Sequence, residues 1–264
     1  MKTKILDING KEKASIDLPK EFSAKIRKDI VGKVLEVKKS KQPYGACPIA
    51  GLQASASGKL IHRRHVWKSQ YGRGMSRVPR KRMSQRGSQF NWEAATSPNT
   101  KGGRRAHPPK AVSMINNLKM NKKEMKIAFI SALSATANSK EVCEKYARLK
   151  DKKIEVPFVV ESKLSGLKTK ELIESLKKIL GKDLFEVGLI KKTVRAGRGK
   201  TRGRKYKSNA GLLLVIGEKE NLKTGAVEVV NVKKLSVTDL AKGGVGRLTI
   251  YTEGAIKDLQ EKLK

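Results

Sequence analysis

A chain of 264 residues carries 60 Lys and Arg against 24 Asp and Glu, a formal net charge of +36. Such an excess repels itself in isolation and draws the chain to polyanions, phosphates above all. No apolar run approaches the ~18 residues of a spanning helix, the basic residues do not line one face of an amphipathic helix, and the first ten residues hold no apolar signal core, so membranes and export are set aside. Cys47 and Cys143 give no disulfide framework and suit a reducing cytosol. The length accommodates one large domain or two small ones, with a sizeable core either way.

In chain order, residues 2–18 read as a hairpin: Ile5, Ile8, Ile16 and Leu18 are apolar and Asn9-Gly10 is a strong turn signal. Over 22–37, Phe22, Ile26, Ile30, Val34 and Val37 recur at helical spacing. Lys41-Gln42-Pro43-Tyr44-Gly45 then opens a long stretch without period. Helical order returns at Asn121, which has capping-box spacing to Glu124, and Met125, Ala128, Phe129, Ala132 and Leu133 form a core-facing stripe. Ile154 to Val160 predicts a buried strand. Thr169 to Leu180 predicts a helix with Leu172, Ile173, Leu176, Ile179 and Leu180 on one side and Gly181 as its stop. Phe185 to Ile190, Ala210 to Gly217 and Val227 to Val232 are further apolar runs. Leu212 to Ile216 is continuous rather than alternating, as in a strand covered on both faces. Ser236 to Ala241 reads as a capped short helix, Arg247 to Tyr251 as a last strand and Gly254 to Leu263 as a closing helix. Strands alternating with helices predict an α/β fold, a mainly parallel sheet with helices on both faces, with a long basic extended loop inserted near the N-terminal third.

The stretch from Lys59 to Lys110 organises the rest. It holds fourteen basic residues: Lys59, Arg63, Arg64, Lys68, Arg73, Arg77, Arg80, Lys81, Arg82, Arg86, Lys101, Arg104, Arg105 and Lys110. One acid, Glu93, stands against them, and none occurs between Glu36 and Glu93. Rich in Gly, Ser, Gln, Asn and Pro, it lacks the apolar surface that would offset its ordering entropy, so alone it should be disordered and folded only by a polyanion. A second cluster, Lys191, Lys192, Arg195, Arg198, Lys200, Arg202, Arg204, Lys205 and Lys207, has no acid at all and lies between two strand candidates. Glycines let its backbone approach phosphates while Arg and Lys neutralise them.

Other motifs carry less. Gly199-Lys200-Thr201 lacks the Gly five positions before Gly199 that a phosphate loop needs, since position 194 is Val, and no helix start follows. His62 and His65, with Cys47 upstream, flank arginines, a poor setting for a metal cation, and His107 is the one further His. Trp67, Tyr71, Phe90 and Trp92 either stack on bases or pack the stem of the loop. No Ser, His or Cys stands in a triad pattern, so no enzyme and no cofactor is expected.

Three stretches together resemble the archaeal and eukaryotic branch of large-ribosomal-subunit protein four. Lys41-Gln42-Pro43-Tyr44 leads through Ala50-Gly51 and Gln53-Ala54-Ser55 to Gly72-Arg73-Gly74, Arg77-Val78-Pro79-Arg80 and Gly102-Gly103-Arg104-Arg105-Ala106-His107-Pro108-Pro109. Arg195-Ala196-Gly197-Arg198-Gly199-Lys200 is followed by Arg202-Gly203-Arg204. Leu240-Ala241 and Gly243-Gly244 precede Gly246-Arg247-Leu248 and Tyr251-Thr252-Glu253. The resemblance covers essentially the whole chain and favours the archaeal type, which lacks a long C-terminal extension. It implies a globular body, residues 1–43 with 111–264, on the outer face of the large subunit. A loop, 44–110, would penetrate ribosomal RNA and help line the nascent-peptide exit tunnel, its tip between Gly72 and Arg86. The expected partners are large-subunit ribosomal RNA, neighbouring large-subunit proteins and, near the tip, the nascent polypeptide, in the cytoplasm. The other readings are a general nucleic-acid packaging protein, which needs no long loop in an α/β body, and an RNA-modifying enzyme, which needs a cofactor pocket at the strand ends.

Overall fold

The structure is a computed structural model of the chain. It describes residues 1–40, 63–66, 69, 71–72, 74–87, 89–95, 97–101, 106–107, 118–149 and 154–263. Two compact units emerge, Met1–Lys39 with Lys119–Lys264, and Ser40–Leu118.

The hairpin read from Asn9-Gly10 is present: β1 (Lys2–Leu6) pairs antiparallel with β2 (Glu12–Asp17). After α1 (Lys28–Ser40), β3 (Arg80–Arg86) and β4 (Gln89–Ala94) belong to the second unit. The first unit resumes with α2 (Lys122–Ala137), α3 (Ser139–Lys145), β5 (Phe158–Val160) and α4 (Thr169–Gly188). Then come β6 (Lys192–Val194), β7 (Tyr206–Ser208), β8 (Leu213–Ile216) and β9 (Glu228–Asn231). The chain closes with α5 (Val237–Leu240), β10 (Thr249–Thr252) and α6 (Glu253–Leu263).

The sheet of the first unit runs β2-β1-β5-β10-β8-β9, and every pairing except that of β1 with β2 is parallel. Side chains alternate across it. Ile5, Val159, Leu213, Val215 and Tyr251 face one side, against Val31 and Val34 of α1, Ala128, Ala132 and Leu133 of α2, and Ile256 and Leu259 of α6. Val160, Leu214, Ile216 and Ile250 face the other, against Val142 of α3 and Leu172, Leu176, Ile179 and Leu180 of α4. Full burial of each such side chain is worth about 1.5–3 kcal/mol, and two covered faces explain the unbroken apolar run at 212–216. The buried Tyr251 hydroxyl lies 2.8 Å from Thr136 Oγ1, and burial pushes it up to about 12.

Four elements differ from the sequence reading. Phe22 does not start a helix; it sits in a 3-10 turn, Lys20–Ser23, and α1 begins at Lys28. Between them, Ser134 and Ser131 of α2 donate to the carbonyls of Ala24 (2.6 Å) and Lys25 (3.4 Å), so tertiary hydrogen bonds replace helical ones. Gly181, at φ +72, breaks α4 without ending it. The helix resumes because Leu184 and Phe185 pack on the second core, and Phe185 to Ile190 is therefore helix end rather than strand. Met125 is exposed, which narrows the α2 stripe to Ala128, Phe129, Ala132 and Leu133. Finally, 80–94 forms an antiparallel hairpin with no apolar alternation to announce it, turning at Gly87 with φ +57. The box predicted at Ser236 does form, with Asp239 Oδ2 accepting from Ser236 N at 3.0 Å.

Among the described residues, one charged side chain lies wholly inside this fold. Arg247, fully buried, donates from Nε to the carbonyls of Ala210 (2.8 Å) and Gly211 (3.1 Å) and from Nη1 to that of Asp239 (2.7 Å). Its Nη2 meets Glu228 Oε2 at 2.6 Å. Burial pushes the Glu228 carboxyl up, but hydrogen bonds from Lys242 and Arg247 outweigh it and hold the group below its ordinary value. The preceding Gly246 has no substitute: at φ +77, a Cβ there would meet the Glu141 carbonyl oxygen at 2.4 Å. Arg247→Met should lower stability in urea unfolding by about 3 kcal/mol, the penalty for orphaning a buried charged network; a loss below about 1 kcal/mol would show that the network is ornamental.

Candidate nucleic-acid interface

The second basic cluster forms a hairpin. Lys192 pairs with Ser208, Thr193 with Lys207 and Val194 with Tyr206, and Arg195 N extends the ladder to Lys205 O at 2.9 Å. At the tip, Arg198–Lys200 makes a 3-10 turn, and the Gly199 carbonyl accepts from both Arg202 N (3.2 Å) and Arg204 N (3.0 Å). Arg195 Nε donates to Arg204 O at 3.1 Å, binding the two arms across the tip. The backbone thus closes on itself and leaves the cations for solvent. Lys191, Lys192, Arg198, Lys200, Arg202, Arg204, Lys205 and Lys207 are all exposed and Arg195 is half-buried. Gly199-Lys200-Thr201 lies at this hairpin tip, with no strand-to-helix junction around it.

Both ends of the hairpin are fixed by the body. Asn209 accepts at Oδ1 from Lys191 N (2.9 Å) and donates from Nδ2 to Leu189 O (2.7 Å) and Val187 O (3.3 Å). The carbonyls of Ala210 and Gly211 are the ones that Arg247 grips. The hairpin therefore projects from the end of the sheet at which β8 and β10 begin. At the opposite end, carboxylates take the backbone amides. Glu220 Oε2 accepts from Gly217 N (3.0 Å) and Thr252 Oγ1 (2.7 Å), and Asp258 Oδ2 from Glu218 N (2.6 Å). A Cβ on Gly254 would meet Glu220 Oε1 at 2.8 Å. That C-terminal end is where open α/β sheets hold anionic cofactors at helix N-termini, and here it is acidic.

The first basic cluster divides. Lys59, Lys68, Arg73, Arg104, Arg105 and Lys110 lie outside the described residues, as do Cys47, His62 and Trp67; the side chains of Lys81, Arg82, Arg86, Phe90 and Trp92 do too. Arg63, Arg64, Arg77 and Lys101 are exposed and Arg80 is half-buried. Arg77 stacks over the half-exposed Tyr71 ring, 5.0 Å from its centre. His65 and His107 are exposed, and among the described residues no three His, Cys, Asp or Glu converge on one point.

The sequence reading missed residues around the hairpin. Val194 and Tyr206, a cross-strand pair, are both exposed in the middle of the charge, and Lys205 Nζ lies 5.5 Å from the centre of the Tyr206 ring. Their signal was one apolar or aromatic residue amid the cations of each arm, Val194 in 191–195 and Tyr206 in 204–208, on either side of a Gly-rich turn. Lys145, the last residue of α3, and Tyr146 after it carried none.

Comparison with known proteins gives one family. A model described as the ribosomal protein L4/L1 family matches residues 16–262. Proteins named "Large ribosomal subunit protein uL4" are similar over nearly the whole length. That of Saccharolobus solfataricus is 40% identical over 272 residues, covering 99% of this chain and 95% of its own. That of Nanoarchaeum equitans is 37% identical over 272 residues, covering 99% and 98%. That of Haloquadratum walsbyi is 34% identical over 270 residues, covering 99% and 100%.

If Asn209 is the brace described, Asn209→Ala should speed amide exchange at Lys191 and through the hairpin by about tenfold or more, with α4 and β8 unchanged. Equal slowing or speeding of the whole body would contradict a local role.

Proposed function

The chain belongs to the ribosomal protein L4/L1 family, and from that membership we propose that it is a structural component of the large ribosomal subunit in the cytoplasm. It binds large-subunit ribosomal RNA and catalyses nothing. Two basic elements do the binding. The 191–207 hairpin anchors the body: its Lys and Arg release counterions from closely spaced phosphates, and its glycines admit the backbone to narrow gaps in the RNA. The 44–110 segment enters the RNA, folds on it through Arg63, Arg64, Lys68, Arg73, Arg77, Arg80 to Arg82, Arg86, Lys101, Arg104, Arg105 and Lys110, and meets the nascent polypeptide near 72–86. Neighbouring large-subunit proteins complete its surroundings.

The observation that carries this reading is the hairpin itself. Nine cations and no acid stand on a backbone held rigidly at both ends, and among the described residues none of the nine forms an ion pair. The acidic strand ends opposite weigh against a nucleotide-using enzyme. Sucrose-gradient fractionation of native lysate after a high-salt wash tests the assignment. The chain should stay with the large subunit, and its release to the free fraction or to DNA would favour a packaging protein.

A sharper test uses the salt dependence of free-protein binding to ribosomal RNA fragments. Replacing Arg198, Arg202 and Arg204 by Ser should flatten the log–log salt slope by about 0.7–0.9 for each phosphate no longer neutralised. An unchanged slope would remove the hairpin from the interface.

A further inference from the structure

At the foot of the hairpin is a cavity of about 480 Å³, open to solvent, within the range of small-ligand sites. Four cations line it, Lys145, Arg148, Lys191 and Lys207, together with Tyr146 and Glu186. Its floor comes from the segment after α3 and the end of α4, and one wall from the hairpin face opposite to that of Val194 and Tyr206. The rest of the wall is largely apolar, with Ala147 and Val187 among its residues. We propose that this cavity receives a single unstacked nucleotide of ribosomal RNA, its phosphate on the Lys145–Arg148–Lys191–Lys207 rim and its base against Tyr146. The inference rests on the RNA-binding reading above and names a site within it.

Three observations converge here. First, Lys145 is the one largely buried cation of the cavity, and its Nζ has a carbonyl, Gly244 O at 2.8 Å, and no carboxylate partner among the described residues. Burial, and then the nearby charge of Arg247, lower it to about 7. A desolvated ammonium beside a buried guanidinium is a charge lacking its counterion, and a phosphate supplies one. Second, the cavity mixes what a nucleotide needs: a cationic rim, an apolar wall with an aromatic ring, and an acceptor. The Tyr146 hydroxyl is fixed by accepting from Leu248 N at 3.2 Å, which holds the ring in place. Glu186, 3.5 Å from Arg148 Nη1, offers carboxylate oxygens to the exocyclic amine of a base. Third, the site is built before binding. Asn209, a lining residue, spends its amide on Lys191, Leu189 and Val187, so the hairpin wall stands at a set distance from the floor. An acidic peptide would satisfy the rim but leave the apolar wall empty. Single-stranded RNA is read by bases splayed from the stack onto aromatic side chains, which this cavity accommodates.

The test uses the full chain at fixed ionic strength, followed by heteronuclear NMR of the Tyr146 and Asn209 signals. Titration with adenosine 5′-monophosphate, ribose 5-phosphate and inorganic phosphate should give saturable shifts at these residues. The mononucleotide should bind about tenfold or more tightly than phosphate, the increment of base stacking. Lys145→Met and the surface change Arg148→Gln should each abolish or weaken that binding. Equal affinity for all three probes, or no saturable shift, would overturn the proposal, and the exposed Arg148 keeps the result readable if Lys145→Met fails to fold. In complexes of the same preparations with large-subunit ribosomal RNA, the wild type should change the chemical reactivity of one unpaired nucleotide and Arg148→Gln should not. Mononucleotide binding without that change would mean a free-nucleotide site and would overturn the RNA source. Failure of the wild type to bind the RNA at all would instead sink the underlying reading, so the two failures are distinct.

Discussion

A single buried guanidinium sets the geometry of the C-terminal half. Arg247 reaches the two carbonyls just before β8, the last turn of α5 and the carboxylate of Glu228 on the edge strand. Each of those groups is on a different element, and none can move without orphaning a charge inside the protein. The hairpin 192–208 departs from the carbonyls that Arg247 holds, and the cavity below it contains the lysine whose charge Arg247 opposes. The Gly246-Arg247-Leu248 run thus reads physically: Gly246 admits the close approach of α3, and Arg247 donates to the frame from which the basic hairpin departs.

The charge of the body is sorted by this frame. Basic residues collect where β8 and β10 begin, whereas Glu218, Glu220, Glu253 and Asp258 collect where the strands end. The acids there are engaged with backbone amides or with Lys233 and Lys257. The sheet therefore keeps the layers of an α/β enzyme while carrying acidic residues at its C-terminal strand ends and basic ones at the opposite end. The end that would hold a cofactor is lined by carboxylates, and the opposite end carries the basic hairpin. An acid-free hairpin presents its cations at a fixed spacing, and such order would lower the entropy lost on binding the proposed RNA.

Much of this was legible in the residues. Period and turn chemistry placed the β1–β2 hairpin, α2, the first turns of α4, β8 and α6, because in each a local rule and the buried face agree. The α/β class followed from their alternation. Two of the misreadings share a cause, tertiary contacts outvoting local period. Serines on α2 unwind the link after Phe22, and the core under Leu184 and Phe185 carries α4 past its glycine. Of the interface, the cations were obvious from composition, as charge needs no fold to be seen. The aromatic and apolar members, Tyr146, Val194 and Tyr206, were not, since each matters through what the fold sets beside it.

The central claim is that the sheet-braced hairpin, rather than loose basic charge, is the body's hold on ribosomal RNA. Ultraviolet cross-linking of isolated large subunits, with peptides and attached nucleotides read by mass spectrometry, tests it most directly. The account predicts nucleotide adducts within 191–207, Tyr206 foremost. Recovery of that peptide free of adducts, while other basic segments of the chain carry them, would contradict it.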